Sequence, residues 1–106
     1  MPIAPSGIVN QRQLETAIRK AANALAPDVL RIRYALTTDS TGAAAIFFRV
    51  LLSDRASRPD RLYKTAERIT TKILETVQPL ERFGIEAYFN FRSESEQAQL
   101  REAAWQ

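Results

Sequence analysis

Apolar residues recur along this chain with two different periods. Leu14, Ala17, Ile18, Ala21 and Leu25 are spaced by three and four, which lines them up on one side of a helix over residues 11–25. Its start is marked by Asn10 as N-cap, Gln13 as the reciprocal partner three residues on, and Val9 with Leu14 placed as a hydrophobic staple. Its stop is marked by Pro27, which biases Ala26 away from helical backbone. From Val29 to Thr37 the period falls to two. Leu30, Ile32, Tyr34 and Leu36 share one side and Arg31, Arg33, Ala35 and Thr37 the other, the pattern of a half-buried strand. The turn formers TDSTG, residues 38–42, then predict a hairpin into a strand over 43–53, AAAIFFRVLLS. Only Arg49 interrupts that run. A strand apolar on both sides belongs inside a sheet, with neighbours on each edge.

The pattern then returns to helical spacing. Ser57, with Pro59 and Asp60 behind it, predicts a capped start, and Leu62, Ala66, Ile69, Ile73 and Val77 make the stripe of a long helix that ends near Pro79. Gly84 closes a short connection. Over residues 85–92 the chain alternates again, with Ile85, Ala87, Phe89 and Phe91 inward and Glu86, Tyr88, Asn90 and Arg92 outward. Ser93 and Glu96 match a capping box for a last helix from 94 to about 104.

The predicted order is α-β-β-α-β-α. These elements satisfy one another as an α+β two-layer sandwich, with both long helices on one face of a three-stranded sheet and a short C-terminal helix. Two strand orders remain. With the second strand central, the third lies beside it through a right-handed crossover and runs parallel to it; with the first central, all pairs are antiparallel. The first order is preferred because Arg31 and Arg33 sit better on an edge. It puts Arg31, Arg33, Phe47, Arg49, Leu51, Tyr88, Asn90 and Arg92 on the face away from the helices.

Composition narrows the function classes. At 106 residues the chain suits one domain, 1–106, with residues 1–8 loose, and a domain of this size buries about 60 to 70% of its unfolded surface. Without cysteine or histidine it has no disulfide, no thiolate or imidazole metal site and no histidine-based acid-base scheme. Its 15 basic residues stand against 12 acidic ones, a net charge of +3 that does not demand a nucleic-acid partner. All but Lys20, Lys64 and Lys72 of the basic residues are arginine. The start, MPIAPSGIVNQRQ, has no basic stretch followed by a long apolar one, and no run reaches the ~18 apolar residues of a spanning helix. A cytoplasmic protein with no membrane contact is expected.

Candidate chemistry is sparse. Asp39, Asp54 and Glu86 are the carboxylates near strand ends, and they fall in no nuclease or transferase spacing; Asp39 suits the hairpin turn, and Asp54 an Asx-type loop. Gly7, Gly42 and Gly84 are isolated, so there is no phosphate-binding loop, and no cofactor is implied. The expectation is a non-catalytic binding module. Its candidate partner-binding residues are Arg31, Arg33, Phe47, Arg49, Tyr88, Asn90, Arg92 and Trp105, facing a protein partner or a second copy of the chain. RNA is the alternative occupant, because a sheet bearing aromatics flanked by arginines can stack unpaired bases and pair phosphates. Trp105 has two ways to be covered: by crossing the sheet in its own chain, or by docking on a partner. The second is expected.

Helix-strand-strand-helix-strand order is also similar to the KH-type fold of ribosome-binding factors and to the cytoplasmic domain of cation-efflux transporters. Neither function carries over, since the chain has no GxxG clamp and no histidine. The strings IFFRVLLSD (46–54), YFNFRSESEQA (88–98) and LREAAW (100–105) resemble those of a group of small, uncharacterised bacterial proteins. That resemblance covers most of the chain. It implies an operon companion, of toxin-antitoxin or defence type, that works beside a helical partner protein.

Overall fold

In the computed structural model, which describes residues 10–106, the first helix (α1) spans Gln11–Leu25. Asn10 caps it: the side-chain oxygen accepts the Gln13 N–H at 3.0 Å. The expected loose segment 1–8 and the Val9 arm of the staple lie outside the described residues. Ala26 takes extended backbone ahead of Pro27, and the chain enters β1, Val29–Thr38. Then follow β2, Ala44–Leu52; α2, Leu62–Val77; a short helix α3, Pro79–Phe83; β3, Glu86–Ser93; α4, Glu94–Leu100; and a single 3-10 turn, Ala103–Trp105.

The chain is an α+β fold around a three-stranded mixed sheet. Of the two strand orders, it takes the one with β2 in the centre, β1 antiparallel on one side and β3 parallel on the other. The apolarity of β2 on both sides has this origin. Ile46, Phe48, Val50 and Leu52 point into a buried cluster with the α1 stripe, Leu14, Ala17, Ile18, Ala21 and Leu25, and with Ile69, Ile73 and Val77 of α2. Each fully buried Leu, Ile or Phe contributes about 1.5 to 3 kcal/mol relative to exposure. Phe48 stacks on Phe89 at 5.1 Å between ring centroids, which ties β3 to the core.

Four local expectations are corrected. Leu30 does not join the inward side of β1: a bulge between Val29 and Arg31 puts Val29 in the core and leaves Leu30 47% exposed. Ser57 does not cap α2. Its hydroxyl donates to the Ser53 carbonyl at 2.8 Å, while Ser53 Oγ accepts the Ala56 N–H at 3.1 Å, so the capping chemistry sits one turn earlier. Ala56 is buried there, which holds residues 53–57 against the core and delays α2 to Leu62. Leu62 is accordingly exposed, and Thr65 replaces it as the first buried residue of the stripe. The connection after Pro79 is also more regular than expected, because Gln78 turns left-handed and Pro79 opens α3, closed by Gly84 at φ +66°.

Candidate functional site

The side of the sheet opposite the buried cluster is ordered in cross-strand rows by the register. From the hairpin end they are Thr37–Ala45–Glu86, Ala35–Phe47–Tyr88, Arg33–Arg49–Asn90 and Arg31–Leu51–Arg92. All the strand-borne candidates therefore lie on one surface. They do not form one site.

At the hairpin end lies an aromatic pair, one ring exposed and one half-buried. Phe47 and Tyr88 stack with centroids 5.0 Å apart and planes 17° from parallel, and Tyr88 is 41% exposed. The Tyr88 hydroxyl donates to Asp39 Oδ2 at 2.9 Å. Asp39 Oδ1 accepts the Thr41 N–H at 2.9 Å, the Thr41 hydroxyl at 2.5 Å and the Ala43 N–H at 3.1 Å. Those bonds, Thr41's first and Tyr88's next, hold the Asp39 carboxyl down at about 2. Reciprocally, the bond to Asp39, then desolvation and the nearby charges of Asp39 and Glu86, raise the Tyr88 phenol above its ordinary range. The turn role expected of Asp39 holds, and its tie across to β3 is an addition that spacing could not show.

In the next row Arg33 and Arg49 are direct cross-strand neighbours with Asn90 beside them. Among the described residues the ion pairs with Asp or Glu are Arg58–Asp60, Arg68–Asp28 and Arg92–Glu102, so Arg31, Arg33 and Arg49 have no Asp or Glu partner there. Arg33 Nε donates to the Gln106 carbonyl. Like charges directly opposite one another on adjacent strands are destabilising.

Leu51 and Arg92 of the last row are covered by the chain itself. Ser93 and Glu96 form the predicted capping box, at 3.0 and 3.1 Å, and launch α4. Asp54 pins that start by accepting the Ser95 N–H at 3.0 Å and hydroxyl at 2.5 Å, a link across 41 residues instead of the local Asx turn expected of it. Beyond Leu100, Arg101 turns left-handed and the 3-10 turn carries Trp105 back to the sheet, where it is 7% exposed. The helix thus stops at Leu100, short of the expected ~104. The Arg92 guanidinium lies 4.5 Å from the centroid of the indole, donates to Gln97 Oε1 at 3.0 Å and pairs with Glu102 at 2.7 Å. Gln97 Nε2 donates in turn to the Glu102 carbonyl at 2.8 Å. Leu51, on the same row, is only 5% exposed.

This corrects the expectation that a partner covers Trp105: the cover is within the chain, and Arg92 is spent on holding it. Sequence reasoning placed Leu51 on this face without its burial, and missed Gln97 and Glu102. A signal was present in Leu51, an aliphatic residue on the supposedly solvent-facing side of a strand. Arg31, Arg33, Tyr88 and Asn90 remain exposed, and Phe47 and Arg49 half-buried, at the surface.

Such a surface can hold carboxylates through arginine forks and flat or apolar groups against the Phe47–Tyr88 stack. Among the described residues no helix is long and apolar enough to cross a membrane. The chain matches no family model, no curated protein and no solved structure.

Proposed function

We propose that this chain is a non-catalytic binding module. It works through the part of the sheet face, opposite the two long helices, that the C-terminal segment leaves open, and its partner is another protein or a second copy of itself. The observation that carries this reading is the Arg33–Arg49 row: two arginines opposite one another with no Asp or Glu partner among the described residues, next to a stacked aromatic pair in which Tyr88 is exposed and Phe47 half-buried. The repulsion weakens the free chain, and a partner's carboxylates would relieve it.

The same face favours protein over RNA. Asp39 and Glu86 flank Tyr88 at one end while the arginines stand at the other, so the face is two-signed along its length. A polyphosphate backbone crossing it meets repulsion at the aromatic end, where stacking would be needed. A protein surface with both signs does not. The resemblance to small bacterial operon companions adds a helical partner encoded nearby and a cytoplasmic setting as parts of the proposal.

Affinity capture from the native host, with and without nuclease, tests it. The tagged chain is expected to recover a protein in a nuclease-resistant manner, or to self-associate in sedimentation, and Phe47→Ala is expected to abolish either while leaving the fold intact. Binding of single-stranded RNA whose affinity falls with salt, close to one logarithmic unit of slope per phosphate contact, would replace this reading with the RNA one.

A further inference from the structure

The outer side of β1 borders the sheet face at Arg31 and Arg33 but offers main-chain groups that the face does not. Among the described residues β1 is an end strand, paired with β2 on one side and with no strand on the other. Which of its groups point outward follows from the alternation of an antiparallel ladder. At the hairpin the Asp39 N–H donates to the Ala43 carbonyl, and stepping by twos through the register assigns Thr37, Ala35, Arg33 and Arg31 to bonds with β2. Ile32, Tyr34 and Leu36 lie between them. Their N–H and C=O groups therefore face away from the sheet, a template for one more strand.

An open groove of about 500 Å³ runs beside these groups, lined by Ile18, Arg19 and Ala22 of α1 and by Leu30–Tyr34 of β1. Its carboxylate, Glu15, accepts the Tyr34 hydroxyl at 3.0 Å. Arg19, Arg31 and Arg33 appear in none of the ion pairs among the described residues. The groove is thus apolar at its base and positive along its rim.

We propose that this edge takes an acidic, extended peptide segment of another protein as a fourth strand. Side chains of an added strand alternate in direction. On the sheet-face side they meet Arg31 and Arg33 and are carboxylates; on the helix side they meet Ile18, Ala22 and Ile32 and are apolar. Main-chain bonds to Ile32, Tyr34 and Leu36 supply affinity, and the alternation supplies selectivity.

Charge sets this occupant apart from the others. A second copy pairing antiparallel through β1, centred on Arg31, Ile32 or Arg33, sets arginine directly against arginine, and the bulge at Leu30 interrupts its register. The chain's own first residues, MPIAPSGIV, hold no carboxylate. In those registers the arginines that keep copies apart are the ones that select an acidic strand; a copy centred on Tyr34 sets Arg33 against Ala35 and Arg31 against Thr37, and is the dimer outcome of the test. This edge uses main-chain groups of β1 and works whether or not the sheet face binds anything.

The experiment is an NMR titration of the full ¹⁵N-labelled chain with the acetylated, amidated peptide EVEVEVE, with KVKVKVK as control. The acidic peptide is expected to shift the amides of Ile32, Tyr34 and Leu36 and to slow their hydrogen exchange. The double variant Arg31→Glu with Arg33→Glu is expected to weaken it by about tenfold or more, and Phe47→Ala to change it by less than about twofold. The proposal is overturned if KVKVKVK acts equally on the same amides, if the shifts centre on Phe47, Tyr88 and Asn90, or if nothing binds at about millimolar peptide. It is equally overturned if the free chain already protects those amides, whether as a dimer in sedimentation or in a way that deleting residues 1–9 abolishes. Failure of the sheet-face reading looks different: Phe47→Ala would then leave partner capture unchanged while this titration proceeds as described.

Discussion

The two ends of the sheet face are built from the same residue types and meet different fates. At the Leu51–Arg92 end an arginine lies under a tryptophan, hydrogen-bonded to Gln97 and paired with Glu102, and Leu51 and Arg92 are largely closed to water. At the Phe47–Tyr88 end Tyr88 and Arg33 are exposed, Phe47 and Arg49 are half-buried, and neither arginine has an Asp or Glu partner among the described residues. Arginine beside an aromatic ring is therefore not in itself a mark of a binding surface. What divides the face is the path of residues 94–106, which turn back over one end and stop short of the other. Arg92 can sit at 16% side-chain exposure because every loss of water is met by a protein group: an amide oxygen, a carboxylate and a ring face. Arg49 has no such set, so its charge is available.

The sharpest way to break this contrast is to remove the cover. Trp105→Ala deletes a 7% exposed indole and is expected to destabilise the chain by about 3 kcal/mol, with a melting temperature lower by about 10 °C or more. Urea and thermal unfolding measure it. Partner binding at the open end should survive in whatever fraction remains folded. The opposite result, a stable variant that no longer associates, would mean that Trp105 serves an interface and that the two ends have been assigned the wrong way round.

A smaller effect of the other sign comes from Arg49→Glu. It sets a carboxylate opposite Arg33 in place of a like charge, and cross-strand pairs of this kind are worth about 0.2 to 1 kcal/mol. Stability should stay level or rise slightly while recovery of the partner is lost. A variant that both folds well and still binds would remove Arg49 from the proposed surface.

How much of this could be read from the sequence depends on distance along the chain. Asn10 and the Ser93–Glu96 box were legible because each is a contact across three residues. The central place of β2 was legible because burial on both sides removes the polar alternation. Ser57 misled because a good local cap pattern lost to the burial of Ala56, a tertiary matter. Leu30 misled because a bulge shifts the period by one without changing composition. The division of the sheet face was not legible. Trp105 over Arg92, Asp54 on Ser95 and Asp39 on Tyr88 join residues 13, 41 and 49 positions apart, and no periodicity encodes such links.

The smallest effect tests what orders the open end. Asp39 has a carboxyl held at about 2 against an ordinary 3.8. A group whose pKa is lowered on folding contributes stability above its unfolded value and loses it as the pH falls through the folded one, so the Asp39 contribution should fade between about pH 4 and pH 2. Tyr88 works in the reverse sense. Its raised pKa means a contribution present below the ordinary 10.0 and lost as the pH rises through the folded value. The tie is thus complete from about pH 5 to 9. Asp39→Asn should narrow the stability gap to the wild type only below about pH 4, measured by urea unfolding across the pH range. Tyr88→Phe separates the two partners of the carboxylate: it should remove the alkaline loss while keeping most of the acid one, because Thr41 is the larger cause of the Asp39 shift. If Tyr88→Phe instead abolished the acid loss, the bond from β3 and not the hairpin's own hydrogen bonds would be what holds Asp39, and the aromatic pair would be the anchor of the turn.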